Sequence, residues 1–467
     1  MGSPRRAQPR NGSCSLTGSG STLAPEWRRW VESVAAGPIV GARRGFAGGS
    51  RQLWFLEIDV GGDSRRLVLR LESGGAFAGT ELSLAREAVV YRALRGTNVP
   101  VAEMVAFDDA GSAMVLEHLP GRSDHRDLKA ASSASVLTSF FDSIGALHTL
   151  DASRLDLPTF SYPSTPADHA LADLGLWEEV ADAHLSGPEP MLAYARAWLR
   201  RHAPVHVEHT VLVQGDTGPG NFLHDGNRVT GLVDWEFSHL GDPMDDIAWI
   251  DMRSAGGGPA FADVERRDRC YRDATGVDVD PDRVRYYAVM VYLRCAITTG
   301  VTIARGGGAV GLGAYHAPHH RFLIQLGAAL ADAMDVDVPA PDLPDPGDGS
   351  APTHDHAIAG LRDVVLPAVP DADTKLRARA ALLVLEHDRA ATAIGPELDA
   401  DQQDDDRRTF GGAPGADEFL RIAAEAGAEG DVEILGYLWR SAHRSARCWQ
   451  TPAVGGVRPP TPPARPR

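Results

Sequence analysis

The chain has 467 residues, 43% of them hydrophobic and 23% charged, enough for two or three globular domains. Its formal net charge of −17 argues against nucleic-acid binding, which needs a basic face, and reads as a solvated acidic surface. Cys14, Cys270, Cys295 and Cys448 are far apart and share no C-x-x-C spacing. Neither a zinc site nor a disulfide framework is implied, and a cytoplasmic protein with reduced thiols is expected. No apolar run approaches the length of a membrane span, and the N-terminal stretch lacks an apolar core, so neither membrane attachment nor secretion is expected. Lysine occurs only at Lys129 and Lys375, and arginine stands nearly everywhere else a cation is needed.

Residues 1–24 are rich in Gly, Ser and Arg and read as a disordered tail. From 25 to 120 the pattern is strand-rich. "GFAGGSRQLW" (45–54) carries a glycine-rich turn with Gly48, Gly49 and Ser50 at its tip. "RQLWFLEIDV" (51–60) and "RRLVLRLE" (65–72) flank the hairpin turn "GGDS". The spacing predicts a helix over 80–96, with Thr80 as N-cap and Gly96 as stop. Its apolar stripe runs through Leu84, Ala88, Tyr91 and Leu94, and Glu87 lies on that stripe. An inward carboxylate needs a cationic partner, and Arg70, set among apolar residues on a strand, is the candidate. "SAMVLEHLPG" (112–121) reads as a further strand.

Helices dominate 121–338, interrupted by one hairpin. The segment 298–321 reads as a flexible loop lining a cleft. Its histidines, His316, His319 and His320, have no acidic or cysteine partners in sequence and carry no metal site. Arg253 and Arg305 are either contacts for an anionic substrate or surface charges. Residues 339–352 read as a Pro/Gly/Asp-rich linker and 353–448 as a helical domain. Within that domain "DADQQDDDRR" (399–408) reads as a solvated acidic loop. Residues 449–467 form a Pro-rich tail.

Two stretches compete as a catalytic loop. "HRDLKAAS" (125–132) nearly matches the protein-kinase signature H-R-D-L-x-x-x-N, but Ser132 stands where the metal-binding Asn belongs. A helix comes next, with Val136, Phe140, Ile144 and Leu147 on one face, so the match is a coincidence. "VLVQGDTGPGNF" (211–222) is the stronger candidate. A short apolar strand enters a glycine-rich loop with Asp216 and Asn221 five residues apart. A hairpin turning at Asp225-Gly226-Asn227 then returns through "VTGLVDW" to Asp234, folding Asp234 back towards Asn221 and Asp216. Three oxygen-bearing side chains at strand ends suit phosphoryl transfer from ATP: Asn221 and Asp234 for Mg²⁺, Asp216 for the proton of an attacking hydroxyl. Asp242-Pro243 starts the next helix, and Asp246, one turn in, needs donors that the loop backbone can supply.

"QGDTGPGN" followed by "LVDWEFSHLGDPMDDIAW" resembles the signature of the aminoglycoside phosphotransferase-like (choline/aminoglycoside kinase) family. The resemblance extends over about residues 30–335 and is strongest to the branch of kinase domains fused to acyl-CoA dehydrogenases. It implies an α+β, two-lobed, protein-kinase-like fold: an antiparallel-sheet N-lobe (25–120) and a mostly helical C-lobe (121–338). An all-α domain (353–448) would follow, resembling an uncharacterised domain appended to such kinases and able to pack on the C-lobe or on a second copy of the chain as a homodimer. The resemblance makes Asp216 the catalytic residue, Asn221 and Asp234 the Mg²⁺ ligands, and Asp246 the brace of the catalytic loop. It places Gly48, Gly49 and Ser50 over the nucleotide phosphates and residues 115–119 at the interlobe hinge. Two departures stand out: Gln214 replaces the usual His, and Arg70, paired with Glu87, stands where Lys is common. The implied activity transfers the γ-phosphate of ATP to a hydroxyl of a small molecule, either a hydroxyacyl-CoA-like metabolite or an aminoglycoside-like compound. The competing expectation is a catalytically degenerate kinase fold serving as a nucleotide-binding or interaction module, and a metal-dependent hydrolase is a third.

Overall fold

The computed structural model describes residues 22–45, 51–72, 77, 80–124, 130–185, 187, 189–257, 261, 263–306, 311–347 and 351–449. Gly48, Gly49, Ser50 and His125 to Lys129 lie outside them, as do most of the N-terminal tail and all of the C-terminal tail after Trp449.

The N-lobe begins with helix α1 (Pro25–Ala35), which is followed by β1 (Ile39–Arg44), β2 (Arg51–Val60) and β3 (Asp63–Glu72). Gly61 and Gly62, both at positive φ, make the β2–β3 turn, as left-handed backbone there requires. Helix α2 (Leu84–Ala93), β4 (Met104–Phe107) and β5 (Ala113–Glu117) complete the lobe, and the antiparallel sheet has the order β1-β2-β3-β5-β4. Arg70 therefore stands on the central strand, in register with Leu53 and Met114. Two expectations are corrected here. The N-cap of α2 is Ser83, whose hydroxyl accepts from the Arg86 amide, while Thr80 turns back to the Phe77 carbonyl. Helix α1 and strands β1 and β4 are additional elements, too short or too polar to stand out by periodicity.

In the C-lobe, α3 (Ala130–His148), α4 (Asp168–His184) and α5 (Pro190–Arg201) lead to the short strands β6 (Val211–Val213), β7 (Phe222–His224), β8 (Val229–Leu232) and β9 (His239–Gly241). Strand β6 pairs with β9 and β7 with β8. Then come α6 (Pro243–Gly257), α7 (Val264–Thr275), α8 (Pro281–Ala304) and α9 (Gly313–Ala333). The segment expected as a cleft-lining loop is thus mostly the end of α8 and the start of α9. Helix α8 is long and apolar enough, by length and composition alone, to cross a membrane, and 67% of its apolar window is buried inside the protein. It carries fully buried Arg294, which binds Asp173 on α4 and Asp245 on α6. Asp245 also meets His239 at 3.2 Å. Burial opposes the Asp245 charge, but Arg294 and His239 outweigh it and hold the pKa down at about 2. This ion cluster fixes α6 against β9, and α6 positions the site.

The C-terminal helices are α10 (Pro352–Ala359), a π-turn (Gly360–Val365), α11 (Leu366–Ala368), α12 (Ala372–Phe410), α13 (Ala416–Glu425) and α14 (Ala428–Arg447). Phe419, Ala423, Leu435 and Leu438 join the hydrophobic core of the C-lobe, and Asp431 binds Tyr194 and Arg201 of α5. The acidic stretch 399–408 is not a loop; it is the last part of α12. Helix periodicity continues through Leu398 to Asp405, which is fully buried. Asp405 accepts from Arg440 (2.7 and 2.9 Å) and Arg444 (2.6 Å) on α14.

Burial pushes the Asp405 pKa up, but the bonds from the two arginines win and hold it below the ordinary carboxylate value. A depressed pKa contributes stability that is complete above the unfolded-chain value and is lost as pH falls through the folded one. The contact of α12 with α14 is therefore expected to weaken below about pH 4, near the reference carboxylate pKa. Urea denaturation at neutral and acid pH checks this. Asp405→Asn should flatten the acid loss of stability, and equal losses in variant and wild type would contradict it.

Candidate active site

The candidate catalytic loop leaves β6 at Gln214 and is held from below by Asp246, which is fully buried on the first turn of α6. Its carboxylate accepts from the backbone amides of Gln214 (2.9 Å) and Gly215 (3.0 Å), from the Thr217 hydroxyl, and from Nε2 of His148 (3.0 Å). The other ring nitrogen of His148 meets the Tyr271 hydroxyl at 3.0 Å. A chain of polar contacts thus runs from α7 through α3 to the loop. Gly215 adopts φ +82°, and a Cβ there would fall 2.2 Å from the Phe237 carbonyl oxygen, so only glycine fits this close approach.

Past the glycines, Asn221 donates from Nδ2 to the backbone oxygen (2.8 Å) and Oδ2 (2.6 Å) of Asp216. The Val233 amide donates to the Asn221 carbonyl at 3.0 Å. Gln214 Nε2 bridges the same two strands, donating to Val233 O (2.6 Å) and Asn221 O (3.4 Å). The β7–β8 hairpin thereby brings Asp234 beside Asn221, as its register requires. Asp234 itself has φ 66°, a left-handed conformation that costs a non-glycine residue roughly 1–2 kcal/mol. Strain of this kind concentrates at functional sites. Asp216 is pushed above the ordinary carboxylate pKa by burial, against the opposing effect of Arg253.

The N-lobe contributes Arg70 and Glu87. Arg70 binds Glu87 at 3.1 Å within its own lobe and Asp234 at 3.0 Å across the cleft. Burial works against the Arg70 charge, but Glu87 and then Asp234 hold the guanidinium protonated well above its ordinary pKa. Glu87 is fully buried, and burial raises its pKa despite Arg70. Glu236 lies in the same group; burial first, then the charge of Asp234, pushes its pKa up to about 8.

This surplus of carboxylates fits a cation. Asn221 commits its amide nitrogen to Asp216, which leaves its side-chain oxygen as a donor for a metal, with Asp234 beside it. Among the described residues no group of three or more His, Cys, Asp or Glu forms a metal site by itself. One amide and one carboxylate, completed by phosphate oxygens and water, is the kind of set that Mg²⁺ accepts.

The structure therefore brings Asp216, Asn221 and Asp234 together to face Arg70 of the other lobe, with Glu87 buried behind Arg70 and with Gln214 and Asp246 buried beneath the loop. Of the remaining candidates, Gly48, Gly49 and Ser50 lie outside the described residues. Arg305 contacts His184 on the exposed surface, whereas Arg253 reaches Asp216. His316 and His387 stack on Trp449 at 4.6 and 4.0 Å, a packing role. His148, Tyr271 and Glu236 were not singled out from sequence. Glu236 follows Asp234 in a turn past the end of β8, where strand alternation gives no facing.

Two lobes, a five-stranded antiparallel sheet over a helical base, with a loop of Asp and Asn closing on a hairpin Asp, make a protein-kinase-like fold. Residues 44–287 match the Phosphotransferase enzyme family, abbreviated APH, and the chain belongs to that family. It is similar to rat acyl-CoA dehydrogenase family member 11, 26% identical over 201 residues, covering 40% of this chain and 25% of that protein. Mouse acyl-CoA dehydrogenase family member 10 is 25% identical over 197 residues, covering 40% of this chain and 18% of that protein. The chain thus spans about a quarter or less of the length of these relatives. Among solved structures, a Ralstonia eutropha protein described as an aminoglycoside phosphotransferase superposes with a TM-score of 0.51 at 21% identity, covering 67% of this chain and 98% of that one. That likeness speaks for the fold.

Proposed function

We propose that the protein is an ATP- and Mg²⁺-dependent phosphotransferase that moves the γ-phosphate to a hydroxyl of a small molecule. The observation that carries this reading is the convergence of Asp216, Asn221 and Asp234 on one loop-hairpin unit, facing an Arg70–Glu87 pair from the other lobe. Asn221 and Asp234 would hold the metal, which neutralises phosphate charge when bound. Arg70, fixed by Glu87, offers a planar donor fork to nucleotide phosphate. Asp216 orients the acceptor hydroxyl and takes its proton. Asp246 keeps the loop amides in place, so the geometry is set before substrate arrives.

The likeness to acyl-CoA dehydrogenase family members supports a hydroxyacyl-CoA-like acceptor; an aminoglycoside-like compound is the other candidate. The test is transfer of label from [γ-³²P]ATP to a panel containing hydroxyacyl-CoA esters with the hydroxyl at successive carbons, and aminoglycosides. Labelled hydroxyacyl-CoA in a magnesium-dependent reaction is expected. Label passing only to aminoglycosides would overturn the acceptor assignment, and no transfer to any hydroxyl would favour a nucleotide-binding module.

A further inference from the structure

Helix α6 reaches the catalytic loop a second time, through Arg253. This residue lies seven positions after Asp246 on α6, so the two side chains leave the same helix face two turns apart. Asp246 braces the start of the catalytic loop, and Arg253 grips its far side. Nε donates to Oδ1 of Asp216 at 2.6 Å, Nη2 donates to Oδ2, and Nη1 donates to the Pro219 carbonyl at 3.3 Å. Both oxygens of the catalytic carboxylate are thus engaged by one planar fork, the strongest form of this ion pair.

The loop is shaped around that side chain. A Cβ at Gly218 would lie 3.0 Å from Cβ and 3.3 Å from Cδ of Arg253, and one at Gly220 would lie 3.1 Å from Nη1. The glycines of "GDTGPGN" therefore make room for the arginine. Its side chain is 24% exposed, so it is not sealed within the core. The other cation described at the site, Arg70, comes from the opposite lobe, rests on Glu87 and Asp234, and is already assigned to the nucleotide phosphates.

A carboxylate held on both oxygens has poor access to an acceptor hydroxyl, and a guanidinium leaves a buried carboxylate only for another anion. Asn221 shares Oδ2 of Asp216 with Arg253, so the guanidinium borders the residues proposed to carry metal and phosphate. We propose that Arg253 is a catalytic residue: it rests on Asp216 in the free enzyme and passes its donors to the oxygens of the phosphoryl group in transit, uncovering Asp216 for the acceptor. This rests on the phosphotransferase reading above. In the step, the bond between the acceptor oxygen and γ-phosphorus forms while the bond from γ-phosphorus to the bridging oxygen breaks. ADP leaves with the electron pair, the hydroxyl proton goes to Asp216, and Arg253 exchanges hydrogen bonds without giving up a proton. An arginine supplied within the chain in this role is worth several orders of magnitude in other phosphoryl-transfer enzymes.

Calorimetry with MgADP, alone and with aluminium fluoride, on wild type, Arg253→Gln and Arg253→Lys tests the proposal. MgADP affinity is expected to be equal in all three. Affinity for the fluoride complex, which mimics the phosphoryl group in transit, should fall about a thousandfold or more in Arg253→Gln, the lower end of the contribution of such arginines. Arg253→Lys, a point charge without the fork, should lie between, and carries the test if the Gln variant fails to fold. With ATP and acceptor, kcat should fall while the KM for ATP stays. Unchanged binding of the fluoride complex by Arg253→Gln would overturn the proposal. So would a raised acceptor KM at intact kcat, which would assign the guanidinium to an anion on the acceptor. Wild type that binds no MgADP would bring down the phosphotransferase reading and this role with it.

Discussion

Asp216→Asn is expected to lower the rate of phosphoryl transfer by about a thousandfold, the middle of the range for a positioned general base, with MgATP binding retained. Asn keeps the shape of the side chain and can still accept from Asn221, which now bonds Oδ2 and the backbone oxygen of Asp216. It cannot take a proton, and it pairs with the Arg253 fork less well than a carboxylate does. The expected signature is a fall in kcat at nearly constant KM for ATP. Rates measured with saturating ATP and a responsive acceptor check it. An Asn variant with near wild-type kcat would remove Asp216 from the chemistry.

The second large effect falls on stability. Asp246 accepts from two backbone amides, one hydroxyl and one imidazole, all within the protein interior. Asp246→Ala leaves the Gln214 and Gly215 amides and the His148 ring without their acceptor. Each stranded buried donor costs about 1–3 kcal/mol. With three of them stranded, a loss of at least about 3 kcal/mol in urea denaturation is expected, with transfer activity falling as well because the loop amides lose their fixed position. Wild-type stability in this variant would show that the brace is dispensable.

The parts of the site legible in sequence are those set by short-range geometry. Asp216, Asn221 and Asp234 lie within one loop and hairpin, and strand register alone brings them together. Glu87 and Arg70 were legible because a carboxylate on an apolar helix stripe must find a cation, and the neighbouring strand offered one. The Arg253–Asp216 fork was not legible. It joins residues 37 apart, and which way position 253 faces depends on how Asp245, Arg294 and His239 dock α6. His148 is farther still, 98 residues from Asp246. The acidic run at 399–408 reads as a loop for a related reason. Five aspartates among ten residues look solvated, yet helical phase turns one of them, Asp405, onto the arginines of α14. Composition describes the exposed majority, and tertiary packing decides the one that is buried. Likewise the 298–321 segment looked loop-like for its glycines, while the helices on either side run well into it.

The most direct test of the account is calorimetric titration of ATP, with and without Mg²⁺, into wild type and Asp234→Ala. The account predicts binding that depends on magnesium and is lost in the variant, since Asp234 is both a proposed metal ligand and the cross-cleft partner of Arg70. Folded wild-type protein that binds no ATP in the presence of magnesium would contradict it.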